Sequence, residues 1–235
     1  MDTNINKIPL RKAALIAGIT ILLMAIIAPF AELFVYPKLV DLQSPEQTVH
    51  NIISNKTLFI SGIFSYLITF TGDIVLSRAL YILLAPVNKH ISLLSALFRL
   101  FFSAIALAAL LNLVTVFQLL NTNESIVTSG QQAQLDAQIM LCLKTFKSSY
   151  HFGIIFFGVH LILLGYLVIK SDYINRIMGV VLIISGIGYL TDAVKPFLFP
   201  DFNSSIITIT FFGELIFMFW LLIKGSKIDN KYDIT

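Results

Sequence analysis

With one cysteine in 235 residues, Cys142, the chain has no internal disulfide and no Cys-based zinc site. Charge is scarce as well. Asp, Glu, Lys and Arg make up 12% of the residues, against roughly 25% in soluble domains, so water is not the solvent for most of this surface. The formal charge of +3 is small, and the basic residues are spread thinly rather than interleaved with aromatics, which argues against nucleic acid as a partner. No CxxC or HxxxH spacing occurs, and no motif implies a cofactor.

Long apolar runs fill the chain instead, with 57% of residues hydrophobic. A hydrocarbon core about 30 Å thick takes about 20 helical residues. Six stretches meet that length, at residues 13–35, 58–84, 91–120, 150–169, 174–194 and 205–223. The sequence therefore predicts an all-α integral membrane bundle of six transmembrane helices within one domain, 13–223, flanked by tails at 1–12 and 224–235. The first span follows Lys7, Arg11 and Lys12 as a signal peptide would, but Pro29 disrupts the small-residue cleavage positions around Ala28 and Ala31, so an uncleaved anchor is expected.

Orientation follows from Lys and Arg in the short loops. Lys7, Arg11, Lys12, Lys89, Lys170, Arg176, Lys224, Lys227 and Lys231 fall on one side; Lys38, Lys56, Lys144, Lys147 and Lys195 fall on the other. Both termini are thus expected in the cytoplasm, with the chain in the cell membrane. Of the two long outer loops, the first carries Ser44-Pro45-Glu46-Gln47, a capping-box pattern that predicts a short helix to about Ile53. In the second, Leu135, Ile139, Leu143 and Phe146 recur at helical spacing. That predicts a helix at the outer membrane surface or an extension of the fourth span. Asn121 to Gly130, between the two, is expected to be a polar, mobile loop. Pro29, Pro86 and Pro196 are read as kinks or stops near span ends.

A charged residue at the centre of a spanning helix costs roughly 2.5 to 3.5 kcal/mol. Asp73, Arg78, Arg99 and Glu214 lie well inside their spans, so all four facing lipid would cost on the order of 10 kcal/mol; they are expected to turn inward and pair. By depth, Glu32, His151 and Asp192 fall near the outer ends of their spans, Asp73, His160 and Glu214 near the middle, and Arg78 and Arg99 in the cytoplasmic third. Arg78 and Arg99 can snorkel to inner headgroups, grip one anion together, or pair with Asp73 or Glu214. Asp73 is a proton or cation relay, or the partner of Arg78 or Arg99 in a salt bridge. His151 and His160, nine residues apart, sit on opposite helix faces about 13 Å from each other, so they cannot share one metal. His151 with Glu32 and Asp192 has the ligand types for an outer-face site, and a hydrogen-bonded network that fixes helix contacts is the alternative. Gly179, Ser185, Gly186 and Gly188 in the fifth span, and Ala104, Ala106, Ala108 and Ala109 in the third, supply smooth faces for close helix contact.

The run from His151 through Phe152, Gly153, Phe156, Phe157 and Gly158 to His160, continuing through Gly165-Tyr166 to Arg176, Gly179 and Gly188-Tyr189-Leu190-Thr191-Asp192, resembles a bacterial membrane family catalogued as domain of unknown function 4386. Ala31-Glu32, Ala79-Leu80-Tyr81, Pro86-Val87-Asn88 and Phe98-Arg99 fit the same resemblance, which covers about residues 10 to 225. Where that family tends to place a proline before the basic residue of the turn between spans four and five, this chain has Asn175. The resemblance implies a six-span bacterial membrane protein and brings no activity with it. Three functional readings stand: binding or transport of a small charged or amphiphilic ligand through a polar interior; hydrolysis or group transfer on a lipid-like substrate by Glu32, His151 and Asp192; and a non-catalytic scaffold. Membrane lipids and a small-molecule ligand are the expected partners.

Overall fold

The structure is a computed structural model and describes residues 8–122, 129–198 and 206–228. Every regular element among them is helical. The order is α1 Leu10–Pro29, a π-helical turn Phe30–Val35, α2 Tyr36–Leu39, α3 Pro45–Ser54, α4 Lys56–Leu84, α5 Lys89–Thr122, α6 Ser129–Lys170, α7 Arg176–Leu198 and α8 Ile206–Lys224, closed by a 3-10 turn Gly225–Lys227. Five helical runs, Leu10–Leu39, Lys56–Leu84, Lys89–Asn121, Gln132–Lys170 and Arg176–Lys195, are long and apolar enough to cross a membrane. The chain is a multi-pass membrane protein by these helices.

The faces of the helices are sorted for a lipid solvent. On α4 the buried positions include Ser65, Thr69, Asp73 and Ser77, one every fourth residue, while Phe64, Leu67, Ile68, Ile74 and Val75 point outward. On α5 the buried stripe is Ser92, Ser95, Arg99, Ser103 and Ala106, and the outward face carries Leu93, Leu94, Leu97, Phe101 and Leu111. An amphipathic helix in water shows the reverse. In hydrocarbon a hydroxyl has no water to bond, so each finds a carbonyl instead: Ser65 and Thr69 one turn back on α4, Ser77, Ser92, Ser95 and Ser103 on another helix.

Two compact units divide the chain. The first takes the described residues of Met1–Leu23, Gly72–Phe102 and Ile154–Thr235; the second takes Met24–Thr71 and Ser103–Gly153. In the first, Ser77 donates to Ala96 O at 2.9 Å and Ser92 to Tyr81 O at 3.0 Å, clasping α4 to α5. In the second, Ser103 donates to Phe70 O at 2.6 Å between the same two helices. The two bonds of the first unit share one antiparallel register.

In the first unit α6 and α7 touch backbone to backbone. A Cβ on Gly165 would lie 2.5 Å from Gly179 O, and one on Gly179 would lie 2.5 Å from Gly165 O; Gly186 and Gly158 face each other in the same way, at 2.7 and 3.0 Å. Any side chain at these positions forces the helices apart. Ser185 turns away from this seam to α8, where a Cβ on Gly213 would lie 1.9 Å from its Oγ. Gly179 and Gly186 of the fifth span thus do serve close contact, with Gly158 and Gly165 as partners that the sequence reading did not single out.

Several boundary expectations change. The α6 helix begins at Ser129 and runs 42 residues without a break, about 63 Å at 1.5 Å per residue, so the second outer loop is largely an extension of the fourth span rather than a separate surface helix. Its apolar stripe, Leu135, Ile139, Leu143 and Phe146, is buried in the second unit. Of the expected loop Asn121 to Gly130, both ends are helical, and residues 123–128 lie outside the described residues. Pro29 does not stop α1; it lacks the N–H that would close the preceding turn, and the helix widens there into the π-helical Phe30–Val35 before α2. The N-terminal tail becomes helical from Leu10, and α7 continues through Pro196 to Leu198.

The caps explain where helices begin. Ser44 Oγ accepts the Gln47 N–H at 3.3 Å and starts α3, as the capping pattern predicts. The reciprocal half of the box is missing, because Ser44 N–H donates to Asp41 O and the Gln47 amide donates to Asn51. Asn88 Oδ1 takes the Ile91 N–H at 3.0 Å at the start of α5. Asn175, the residue at odds with the family tendency, caps α7: its Oδ1 accepts the Ile177 N–H at 2.9 Å and its carbonyl the Met178 N–H at 3.0 Å.

Candidate functional site

Four of the eight candidate residues converge in the first unit. Arg99, on the buried stripe of α5, is the hub: its Nε donates to Asp73 Oδ1 on α4 at 2.7 Å, and its Nη2 lies 2.6 Å from the same oxygen. Nη1 reaches His160 Nε2 on α6 at 3.0 Å and Glu214 Oε1 on α8 at 3.4 Å. The ring of Phe157, one turn before His160, lies under the guanidinium with its centroid 5.1 Å away. Asp73, Arg99 and His160 are only 1%, 2% and 1% exposed.

Ser95, one turn before Arg99, holds the far side of the imidazole. His160 Nδ1 lies 2.9 Å from Ser95 O and 3.0 Å from Ser95 Oγ, and that hydroxyl donates to His160 O at 3.3 Å. A guanidinium can only donate, so Nε2 is an acceptor and the ring hydrogen sits on Nδ1, donating to the Ser95 carbonyl. The three side chains bonded to Arg99, namely Asp73, His160 and Glu214, come from three different helices. The arrangement locks α4, α5, α6 and α8 to one another inside the first unit, and the paired form is what hydrocarbon demands of buried charges.

Arg78 stands apart. It is exposed on α4, not drawn to Asp73, and it does not join Arg99 around one anion. It lines an open groove of about 620 Å³ in the first unit, whose walls are otherwise uncharged among the described residues: they include Ile16 of α1, Ile74, Val75 and Ile82 of α4, and Leu93 and Leu100 of α5. Five residues put Arg78 on a different face of α4 from Asp73, which is why one is buried and the other is not.

Glu32 sits on the π-helical turn in the second unit, where its carboxylate is taken by two partners. Tyr66 O–H donates to Oε2 at 2.5 Å, and Lys147 of α6 pairs with Oε1. Lys147 also lies over the Tyr36 ring, 4.0 Å from its centroid, and Tyr66 meets Phe146 edge-on at 5.0 Å. The Tyr36 hydroxyl is buried with no hydrogen-bond partner among the described residues. His151 and Asp192 are half-buried on α6 and α7 and belong to different units. Among the described residues no three of His, Cys, Asp and Glu form a group able to hold a metal ion.

Sequence reasoning passed over Ser95, Tyr66 and Lys147. Lys147 follows Leu143 by four residues, so helical periodicity places it on the inward stripe rather than the wet face. Ser95 belongs to the stripe from Ser92 to Ser103, which was legible as a spacing of three and four.

Comparison with known proteins agrees with the resemblance. The chain matches the family described as Domain of unknown function (DUF4386) over residues 16–225. It is 38% identical over 171 residues, 73% of this chain and 86% of the relative, to a protein described as uncharacterized from Archaeoglobus fulgidus. That relative is archaeal, so the match gives no ground for the bacterial source that the resemblance implied. No solved structure matches the chain. Over most of its length, then, this helical membrane chain belongs to the DUF4386 family.

Proposed function

We propose that the protein is a six-span protein of the cell membrane, both termini cytoplasmic and α8 the sixth span, that binds an amphiphile with an anionic headgroup. The observation that supports this reading is the groove beside Arg78. Its volume of about 620 Å³ falls within the 300–1,000 Å³ range of ligand pockets, and among the described residues Arg78 is the one charged residue that lines it. Arg78 is six residues from the end of α4, about 9 Å along the axis, which suits a headgroup phosphate or carboxylate while the tail lies along Ile74, Val75 and Leu93. Arg11 and Lys12 begin α1 next to Ala13, another residue of the groove wall, and add positive charge at the same end.

The self-paired Arg99 cluster favours the scaffold reading for the internal charges, since it fixes helices rather than offering open donors. No observation favours hydrolysis or transfer: Glu32, which that chemistry would need, is engaged by Tyr66 and Lys147. Lipid retained through purification tests the amphiphile reading. In mild detergent the wild-type protein is expected to keep anionic lipid by native mass spectrometry, Arg78→Gln to lose most of it, and Arg78→Lys to keep part. Equal retention by wild type and Arg78→Gln would remove the groove from consideration.

A further inference from the structure

The cluster around Arg99 is short of one positive charge. Asp73 and Glu214 bring two carboxylates to a single guanidinium, with Nε and Nη2 on Asp73 and Nη1 on Glu214. His160 cannot make up the difference. Its Nε2 accepts from Arg99, so a proton there would set a donor against a donor and one cation against another. Its Nδ1 already carries the ring hydrogen toward Ser95 O.

Among the described residues, the other elements packed on α8 bring no cation to Glu214. On α7, which packs along α8, the facing residue is Ser185, opposite Gly213; the ionisable residues of α7 are Arg176, Tyr189, Asp192 and Lys195, and Tyr189 sets its ring edge-on to Phe157. On α1, Gly18 meets Leu221 and Leu222, two turns beyond Glu214, and Arg11 and Lys12 lie further still toward that end. Within α8 the only ionisable residues are Glu214 and the terminal Lys224. With both carboxylates ionised, the cluster carries a net charge of one minus in an almost fully buried site. Hydrocarbon does not tolerate that.

The two carboxylates are held unequally. Asp73 takes two guanidinium nitrogens at 2.7 and 2.6 Å. Glu214 takes one nitrogen at 3.4 Å and keeps 15% of its side chain exposed. We infer that Glu214 is an intramembrane proton-binding site: its carboxyl takes up the one proton that neutralises the cluster, while Asp73 stays ionised against Arg99. The step is a simple exchange, carboxylate plus proton to carboxylic acid, with bulk water as the ultimate source of the proton. It sets the grip on α8. Ionised, Glu214 is pulled onto Nη1; protonated, it is free to relax, so proton occupancy and the seating of α8 are linked.

Infrared spectroscopy of the full chain in lipid vesicles reads this directly through the carbonyl stretch of a protonated carboxylic acid. At neutral pH the wild type is expected to show that band, to shift it on 13C labelling of glutamate, and to leave it unmoved on labelling of aspartate. The Glu214→Gln variant should lose the band. Asp73→Asn should lose it too, because removing one carboxylate balances the cluster and leaves Glu214 ionised on Arg99. The wild-type labelling stands even if a variant fails to fold. An acid band that follows the aspartate label, a band that survives in Glu214→Gln, or no band in the wild type would overturn the proposal. So would a band abolished by sodium but not by potassium, which would make the site a metal-cation site.

Discussion

Replacing Arg99 by methionine keeps most of the stem volume and deletes the guanidinium, and the cluster geometry sets what that costs. Three acceptors lose their donor: Asp73 Oδ1, His160 Nε2 and Glu214 Oε1. A buried acceptor left unsatisfied costs about 1–3 kcal/mol, and more if charged. Removing one partner of a buried ion pair costs about 3–5 kcal/mol. For Asp73 and His160, both at 1% exposure, water offers no relief, so Arg99→Met should lose about 4 kcal/mol. Pairing it with Asp73→Leu removes the orphaned carboxylate as well and should recover most of that loss, since apolar replacement of a buried pair is often neutral. The measurement is unfolding by SDS in mixed micelles, followed by circular dichroism, for wild type, both single variants and the double. If Arg99→Met stays within about 0.5 kcal/mol of wild type, the range of an inconsequential surface change, the cluster does not hold the helices together. A double variant no better than Arg99→Met would refute the pairing argument specifically.

The same assay separates three smaller effects. Gly165→Ala should cost about 1–3 kcal/mol, the usual range for overpacking, because its Cβ would meet Gly179 O at 2.5 Å; an unchanged midpoint would mean that α6 and α7 are not in backbone contact. Lys147→Met should cost under about 1 kcal/mol and lose its effect in high salt, since Lys147 and Glu32 are 29% and 41% exposed; a loss as large as that of Arg99→Met would show this pair to be dry. Ser44→Ala should weaken α3 by about 1 kcal/mol, visible as faster hydrogen exchange over Pro45–Ser54 with the global midpoint little changed. Exchange there at the wild-type rate would mean the Ser44 cap does not hold the helix.

Hydropathy made the membrane class legible, and periodicity placed the stripe of Leu135, Ile139, Leu143 and Phe146 on a buried face. Asp73 and Arg99 could be paired on paper because insertion cost forces buried charges together. Which arginine would do so was not legible: the choice between Arg78 and Arg99 depends on the rotation of α4 against α5, and three serine-to-carbonyl bonds set that rotation. Glu32 and Lys147 are separated by 115 residues, and only the fold brings them together. Gly158 and Gly165 looked ordinary one at a time, because their role exists only in register with Gly186 and Gly179. Of the two readings of Pro29, kink or stop, the helix runs on without stopping, because it can absorb a missing N–H by adding a residue to its turn.

The glycine seam has one further effect. Where side chains meet, thermal motion can swap one rotamer for another and leave slack between helices. Gly158, Gly165, Gly179 and Gly186 have no rotamers of their own to exchange, and each lies against a carbonyl oxygen of the opposite helix, flanked there by Leu190, Ile183, Ile169 and Ile162. Within the first unit α6 and α7 therefore behave as a single stiff plate, and adjustment to a bilayer of different thickness falls to the other helices of that unit.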